Sequence, residues 1–363
     1  MTIPFNRFPL LVQIEVLRQL GFQDIFLLSL TSEKMRNLIQ FIKLKPKKVQ
    51  YALSDNGIQV SVGFTGDDRD FHHMANMRHV PQISVKERKQ VNLGGVKIQS
   101  RCSREKDRLT HCRNVKCRCT KKPPTQIWTH VLEYLEKEDD NVLEFLQTHL
   151  ESLFANQPPS QLKIESTNSL QSSEIIDNVT DTIFSLDELE TAEIKHFLTV
   201  RPNQKSVEIH SDLTGRPLKR ISKLFKVPGL AIHESGSMTS KYMDNFSGRC
   251  LLLFNANLTS SAWITLIEKW KNKTAYHKLH AVVTRIPGNV FQEFDFGELL
   301  FESNAFPWDG LRRPRNFMFD PRIPSYRSKS IDCSDWFDIQ QNGGEKWASI
   351  QIINDKIMFF VWD

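Results

Sequence analysis

Five soft donor side chains crowd one stretch of the chain: Cys102, His111, Cys112, Cys117 and Cys119. Thiolates and an imidazole in that number are sufficient for tetrahedral zinc. The intervals argue otherwise, with nine, four and one residues between successive cysteines and no C-x2-C pair. The single residue between Cys117 and Cys119 makes a poor chelate turn, so free thiols in a basic loop are expected and no metal is assigned. His72-His73 and His79 offer less and are read as part of a solvated loop.

Covalent catalysis fares no better. A nucleophilic Ser or Cys needs a neighbouring base and an orienting carboxylate, and no G-x-S-x-G elbow occurs. Cys250 and Cys333 flank apolar runs, where a small buried thiol is the usual finding. Gly94-Gly95 and Gly343-Gly344 lack the Lys-Ser/Thr or the further Gly of a phosphate-cradling loop. A non-catalytic protein without a cofactor is the expectation.

Composition narrows the class further. The chain has 363 residues, 40% hydrophobic and 25% charged, which suits one large core or two smaller ones. No run of about 18 apolar residues is present, nor a basic start followed by an apolar block, so an intracellular, membrane-free protein is expected, cytoplasmic or nuclear. The formal charge of +6 is uneven. Residues 78–122 hold fourteen Lys/Arg against three acids, whereas residues 123–363 hold 25 against 32. No aromatic residue interrupts the basic block from Val80 to Pro124 to stack on bases, so nucleic acid is not an expected partner.

The elements that would position a functional surface begin at the N-terminus. Pro9 opens a helix without losing a needed N–H, and Ile14, Val16, Leu17 and Leu20 follow at helical spacing. Three short helices fit between Pro9 and Ile42, and a trio that small buries little surface unless something covers its apolar face. It reads as a docking module. Val49–Leu53 and Ile58–Val62 around Asp55-Asn56-Gly57 predict a β-hairpin. Past Pro123-Pro124, leucines at 132, 135, 143, 146, 150 and 153 predict a helical stretch over 127–154. Apolar strands then start at Leu162, Ile183, Val207, Leu230, Leu251 and Leu279, with amphipathic runs between several of them, the rhythm of leucine-rich repeats. An unrelated α/β domain with mostly parallel strands is the competing reading.

Phe8-Pro9-Leu10, Leu28-Ser29-Leu30-Thr31-Ser32 and Met35-Arg36 resemble the F-box, the helical module that attaches substrate receptors to the Skp-type adaptor of cullin-RING ubiquitin ligases. At the far end, Asp338-Ile339, Gly343-Gly344, Ala348-Ser349-Ile350 and Val361-Trp362 resemble the ending of the F-box-associated domain of nematode F-box families. Leu251–Leu258 with Ser260-Ser261, Trp263 and Trp270 is a second correspondence. Strand spacing and resemblance together predict an α+β/α/β chain: an F-box-like module (4–48), a hairpin and basic Cys-containing segment (49–122), a helical linker (123–160), and an F-box-associated, irregular leucine-rich-repeat-like α/β solenoid with a C-terminal β cap (161–363).

It also implies a non-catalytic substrate receptor whose partners are a Skp-type adaptor, a cullin scaffold and a protein substrate. Phe8, Pro9, Leu10, Ile14, Leu17, Leu20, Leu28 and Leu30 are the expected adaptor-facing residues. Trp263, Trp270, Trp308, Arg312 and Arg313 are the substrate-side candidates, because aromatic residues and Arg dominate binding hot spots. The alternative is a repeat scaffold with no ligase connection.

Overall fold

The computed structural model describes residues 5–65, 70–107, 127–220, 222–288, 294–319, 330–344 and 346–362. His111, Cys112, Cys117 and Cys119 lie outside the described residues. Cys102 is exposed on a strand, and Cys250 and Cys333 are buried and in no disulfide. The chain divides into two compact units, the first comprising residues 1–65, 70–160 and 171–177, the second 66–69, 161–170 and 178–363.

The first unit starts with three helices, α1 (Leu10–Arg18), α2 (Phe22–Ser29) and α3 (Glu33–Gln40). Ser32 caps α3 by accepting the Met35 N–H at 3.2 Å, which satisfies a donor the helix leaves open. Strands β1 (Lys48–Ser54), β2 (Gly57–Gly63), β3 (Phe71–Val80), β4 (Lys89–Leu93), β5 (Val96–Asp107) and β6 (Ile127–Leu135) form a sheet in the order β1-β2-β3-β6-β5-β4. The predicted hairpin is present, with Ser54 paired to Gly57. Gly57 is required there: its φ is +138°, and a Cβ would stand 2.1 Å from the Met77 carbonyl oxygen.

Two expectations are corrected in this unit. Residues 127–135 form a strand, and the helix α4 starts only at Asp139 and runs to Leu153. Leu132 and Leu135 fit a helical spacing, but β6 lies between two partners, parallel to β3 and antiparallel to β5, and those ladders decide the conformation. His72, His73 and His79 likewise belong to β3 and not to a loop.

The second unit combines helices with strands β7 (Ser160–Ile164), β8 (Val179–Phe184), β9 (Glu188–Glu190), β10 (Ser206–Ile209), β11 (Asp212–Thr214), β12 (Gly229–Ile232), β13 (Cys250–Leu253), β14 (Ala281–Arg285), β15 (Phe306–Pro307), β16 (Asn316–Met318), β17 (Ser330–Asp332), β18 (Phe337–Gln340), β19 (Trp347–Ile353) and β20 (Lys356–Trp362); β9 pairs with β11 and β16 with β17 in two small sheets apart from the main one. Its helices are α5 (Asn168–Ser172), which ends beyond the boundary of the unit, α6 (Thr191–Val200), α7 (Thr239–Asn245), α8 (Ser260–Lys271) and α9 (Phe296–Glu302). The sheet order is β15-β18-β19-β20-β14-β13-β12-β10-β8-β7. From β8 to β14 the strands are parallel and follow chain order.

The sheet does not end there in a separate cap. β20 pairs antiparallel with β14, and β19, β18 and β15 continue the same sheet, so the C-terminal strands extend the parallel ladder, and the described residues form an open mixed sheet and no solenoid. Neighbouring residues of β20 serve opposite faces, as the two-residue period of a strand demands. Phe359 packs against Trp270 at 5.4 Å and Trp263 at 6.5 Å, while Phe360 stacks on Phe317 at 4.2 Å and Trp336 at 4.7 Å. Both faces are thereby filled around Leu252, Val283 and Cys250 on one side and the α8 tryptophans on the other.

Candidate functional site

Helix α1 carries more apolar residues than a core-facing stripe can use: Leu10, Leu11, Val12, Ile14, Val16 and Leu17 within one nine-residue helix. Leu17 takes the inward position and is 1% exposed, and Leu30, Ile25, Phe26 and Ile39 complete the small core of the helical trio. The surplus faces water. Leu11 is 77% exposed and Leu10 50%, with Val12, Val16 and Phe41 also open. Two shallow hollows mark this surface, one lined by Leu11, Val12 and Val16, the other by Leu10, Leu38 and Phe41. Glu15 and Gln19 border the first, Glu33 and Lys34 the second. Apolar patches rimmed by polar side chains mark surfaces that dock another protein.

The trio is anchored by a chain of buried polar contacts. His149 of α4 is fully buried, its Nε2 2.7 Å from Ser29 Oγ and its Nδ1 accepting the Gly94 N–H at 3.3 Å. Because a backbone N–H can only donate, Nδ1 is the acceptor and the ring proton sits on Nε2. Nε2–H therefore donates to Ser29 Oγ, which donates in turn to the Phe26 carbonyl at 2.6 Å. Burial, together with the nearby Arg36 charge, pushes the imidazole down to about 4, so it is neutral. The Gln40 side chain adds a hydrogen bond to the Ser152 carbonyl at 2.8 Å, and the His130 N–H one to Gln23 Oε1 at 3.3 Å.

The sequence-derived adaptor residues thus divide. Pro9 and Leu10 are exposed, and Phe8, Ile14, Leu20 and Leu28 are half-buried. Leu17 and Leu30 are core residues and offer no surface to a partner. Leu11, Val12, Val16 and Phe41 lie outside that set and are exposed; the first three belong to the apolar excess of α1, and Phe41 follows α3.

The substrate-side candidates divide more sharply. Trp263 and Trp270 do share a helix face, as their spacing predicts, but it is the inward face, and both are essentially unexposed. Arg313 is also buried, with Nε 2.8 Å from Asp338 Oδ1 and its terminal nitrogens donating to the Cys333 and Pro314 carbonyls. Ser349 donates to the same Asp338 oxygen at 2.7 Å, and Trp362 Nε1–H donates to Ser349 Oγ at 2.7 Å. The guanidinium also lies over the Trp362 ring. Asp338, Ser349 and Trp362 therefore form a structural network. Its buried ion pair is tolerated because most of its polar atoms are satisfied. Trp308 is half-buried, with Nε1–H 3.4 Å from the Arg313 carbonyl. Of the five, Arg312 is exposed; it pairs with Asp309 at 3.0 Å and lies over the Phe306 and Trp347 rings at 4.6 and 5.2 Å.

Among the described residues, no helix is long and apolar enough to cross a membrane. No curated protein and no solved structure matches the chain. A family model described as the F-box domain does match, over residues 5–47, and it spans α1, α2 and α3 with the apolar surface they leave open. The N-terminal segment of this chain is an F-box domain.

Proposed function

We propose that this chain is the substrate-recognition subunit of a Skp–cullin–F-box ubiquitin ligase, docking to the Skp-type adaptor through α1–α3 and holding a protein substrate on its second unit. The observation that carries the reading is the apolar surface of Leu10, Leu11, Val12, Val16 and Phe41 on helices that match the F-box domain. No step of bond chemistry is assigned to the chain. Its role is positional: a substrate lysine held beside a charged conjugating enzyme reacts at a raised effective concentration. On the substrate side, the exposed Arg312 with Phe306 and Trp347 replaces the buried tryptophans as the candidate contact.

The test separates surface from core. Burying a whole Leu side chain contributes about 1.5–3 kcal/mol, so the exposed parts of Leu10 and Leu11 together are worth ~2–3 kcal/mol of adaptor affinity. The Leu10→Ser/Leu11→Ser variant should bind a purified Skp-type adaptor on the order of thirtyfold to a hundredfold more weakly while its helices stay folded. Leu17→Ala should instead lower stability by about 2–5 kcal/mol and reduce binding only through unfolding. Undiminished affinity in the folded double variant would sink the adaptor reading.

A further inference from the structure

The parallel ladder of the second unit brings together three donor side chains that the proposed function does not use. Glu208 lies on β10, and His210 follows one pleat later on the same face. His233 follows β12, and because Ile209 pairs with Ile232, the two histidines come side by side across the ladder. Their imidazoles stack with centroids 3.7 Å apart, and His233 stacks in turn on Phe254 at 4.6 Å. Each points Nε2 at one carboxylate oxygen: Glu208 Oε1 is 2.9 Å from His210 and 2.8 Å from His233. The three donor atoms lie within 4.8 Å of one another.

The environment is unusual for a plain hydrogen-bonded triad. Glu208 is buried, yet among the described residues its ion-pair partners are only these two imidazoles, with no Lys or Arg. The histidines are part-exposed, at 37% and 29%, so an ion can reach them from solvent.

We propose that Glu208, His210 and His233 form a binding site for one divalent first-row metal ion of the zinc class. Two imidazole nitrogens and a carboxylate oxygen are the donors such ions take, and a set without thiolate suits zinc, cobalt or nickel. Three donors around a tetrahedral ion at ordinary bond lengths stand about 3.4 Å apart. The contacts to Glu208 must therefore open by about half an ångström, and each ring must turn about its Cβ–Cγ bond to aim its lone pair. That torsion is broad, and the rings are part-exposed, so the adjustment is small. A fourth position remains for water or for a donor from a bound protein.

The test uses the full chain carrying Cys102, Cys112, Cys117 and Cys119→Ser, which removes competing thiolates. Calorimetric titration with zinc chloride at about pH 7.5 should show one saturable equivalent. Binding should weaken about tenfold or more in His210→Ala and again in His233→Ala. Cobalt(II) absorption of the unsubstituted cluster gives an independent readout, with d–d bands of a nitrogen and oxygen site expected and no thiolate charge transfer. Absence of saturable binding, or binding unchanged in the folded His210→Ala/His233→Ala variant, would overturn the proposal.

Discussion

Lowering the pH should loosen the F-box helices from the rest of the first unit, and His149 is the reason. Its imidazole is neutral in the fold, held at about 4 against an ordinary 6.5, because burial and the Arg36 charge oppose the cation and because Nδ1 is occupied as the acceptor of the Gly94 N–H. The unfolded chain takes up a proton at this side chain as the pH falls through 6.5, whereas the folded chain resists until about 4. Between those values the unfolded state binds more protons, so stability falls with falling pH. The contribution is fully present above about 6.5 and fully lost below about 4. At about 1.4 kcal/mol per pH unit, the loss amounts to roughly 3 kcal/mol.

Hydrogen exchange of α2 and α4 peptides, corrected for the intrinsic pH dependence of exchange, reads this out. Protection should drop on the order of a hundredfold across the window in the wild type. His149→Gln should be less protected at neutral pH and should show much less of that slope. Equal pH dependence in the two proteins would refute the assignment of the neutral, Nδ1-accepting imidazole.

Two other perturbations follow from buried contacts. Arg313→Ala should destabilise the second unit by about 3–5 kcal/mol, measured as the denaturation midpoint, because it leaves the Asp338 carboxylate unpaired in the core. Arg312→Ala, one residue earlier but exposed, should change the midpoint by less than about 1 kcal/mol. Gly57→Ala should cost several times the ~1 kcal/mol of an ordinary Gly/Ala difference, because the added methyl meets the Met77 carbonyl, and the loss should appear in thermal unfolding of the first unit.

What the sequence made legible was local. The β1–β2 hairpin is encoded by its own turn residues, the parallel strands of the second unit by their apolar runs, and the N-terminal helices by Pro9 and the apolar spacing that follows it. What it concealed depends on partners distant in the chain. β6 reads as a helix until β3 and β5 flank it, since Leu132 and Leu135 satisfy either period. Trp263 and Trp270 share a helix face, but only the presence of Phe359 shows that the face points inward. Arg313 looks like its neighbour Arg312 until Asp338, 25 residues on, is found against it. The Glu208–His210–His233 cluster has no motif, because its third member arrives through strand register.

We propose that the exposed face of α1 and the end of α3 receive the adaptor. Hydrogen exchange of the full chain with and without a Skp-type adaptor tests it most directly. A one-to-one complex that gains protection over Leu10–Arg18 and Leu38–Phe41 is the predicted result. Absence of a complex, or protection confined to the second unit, would contradict it.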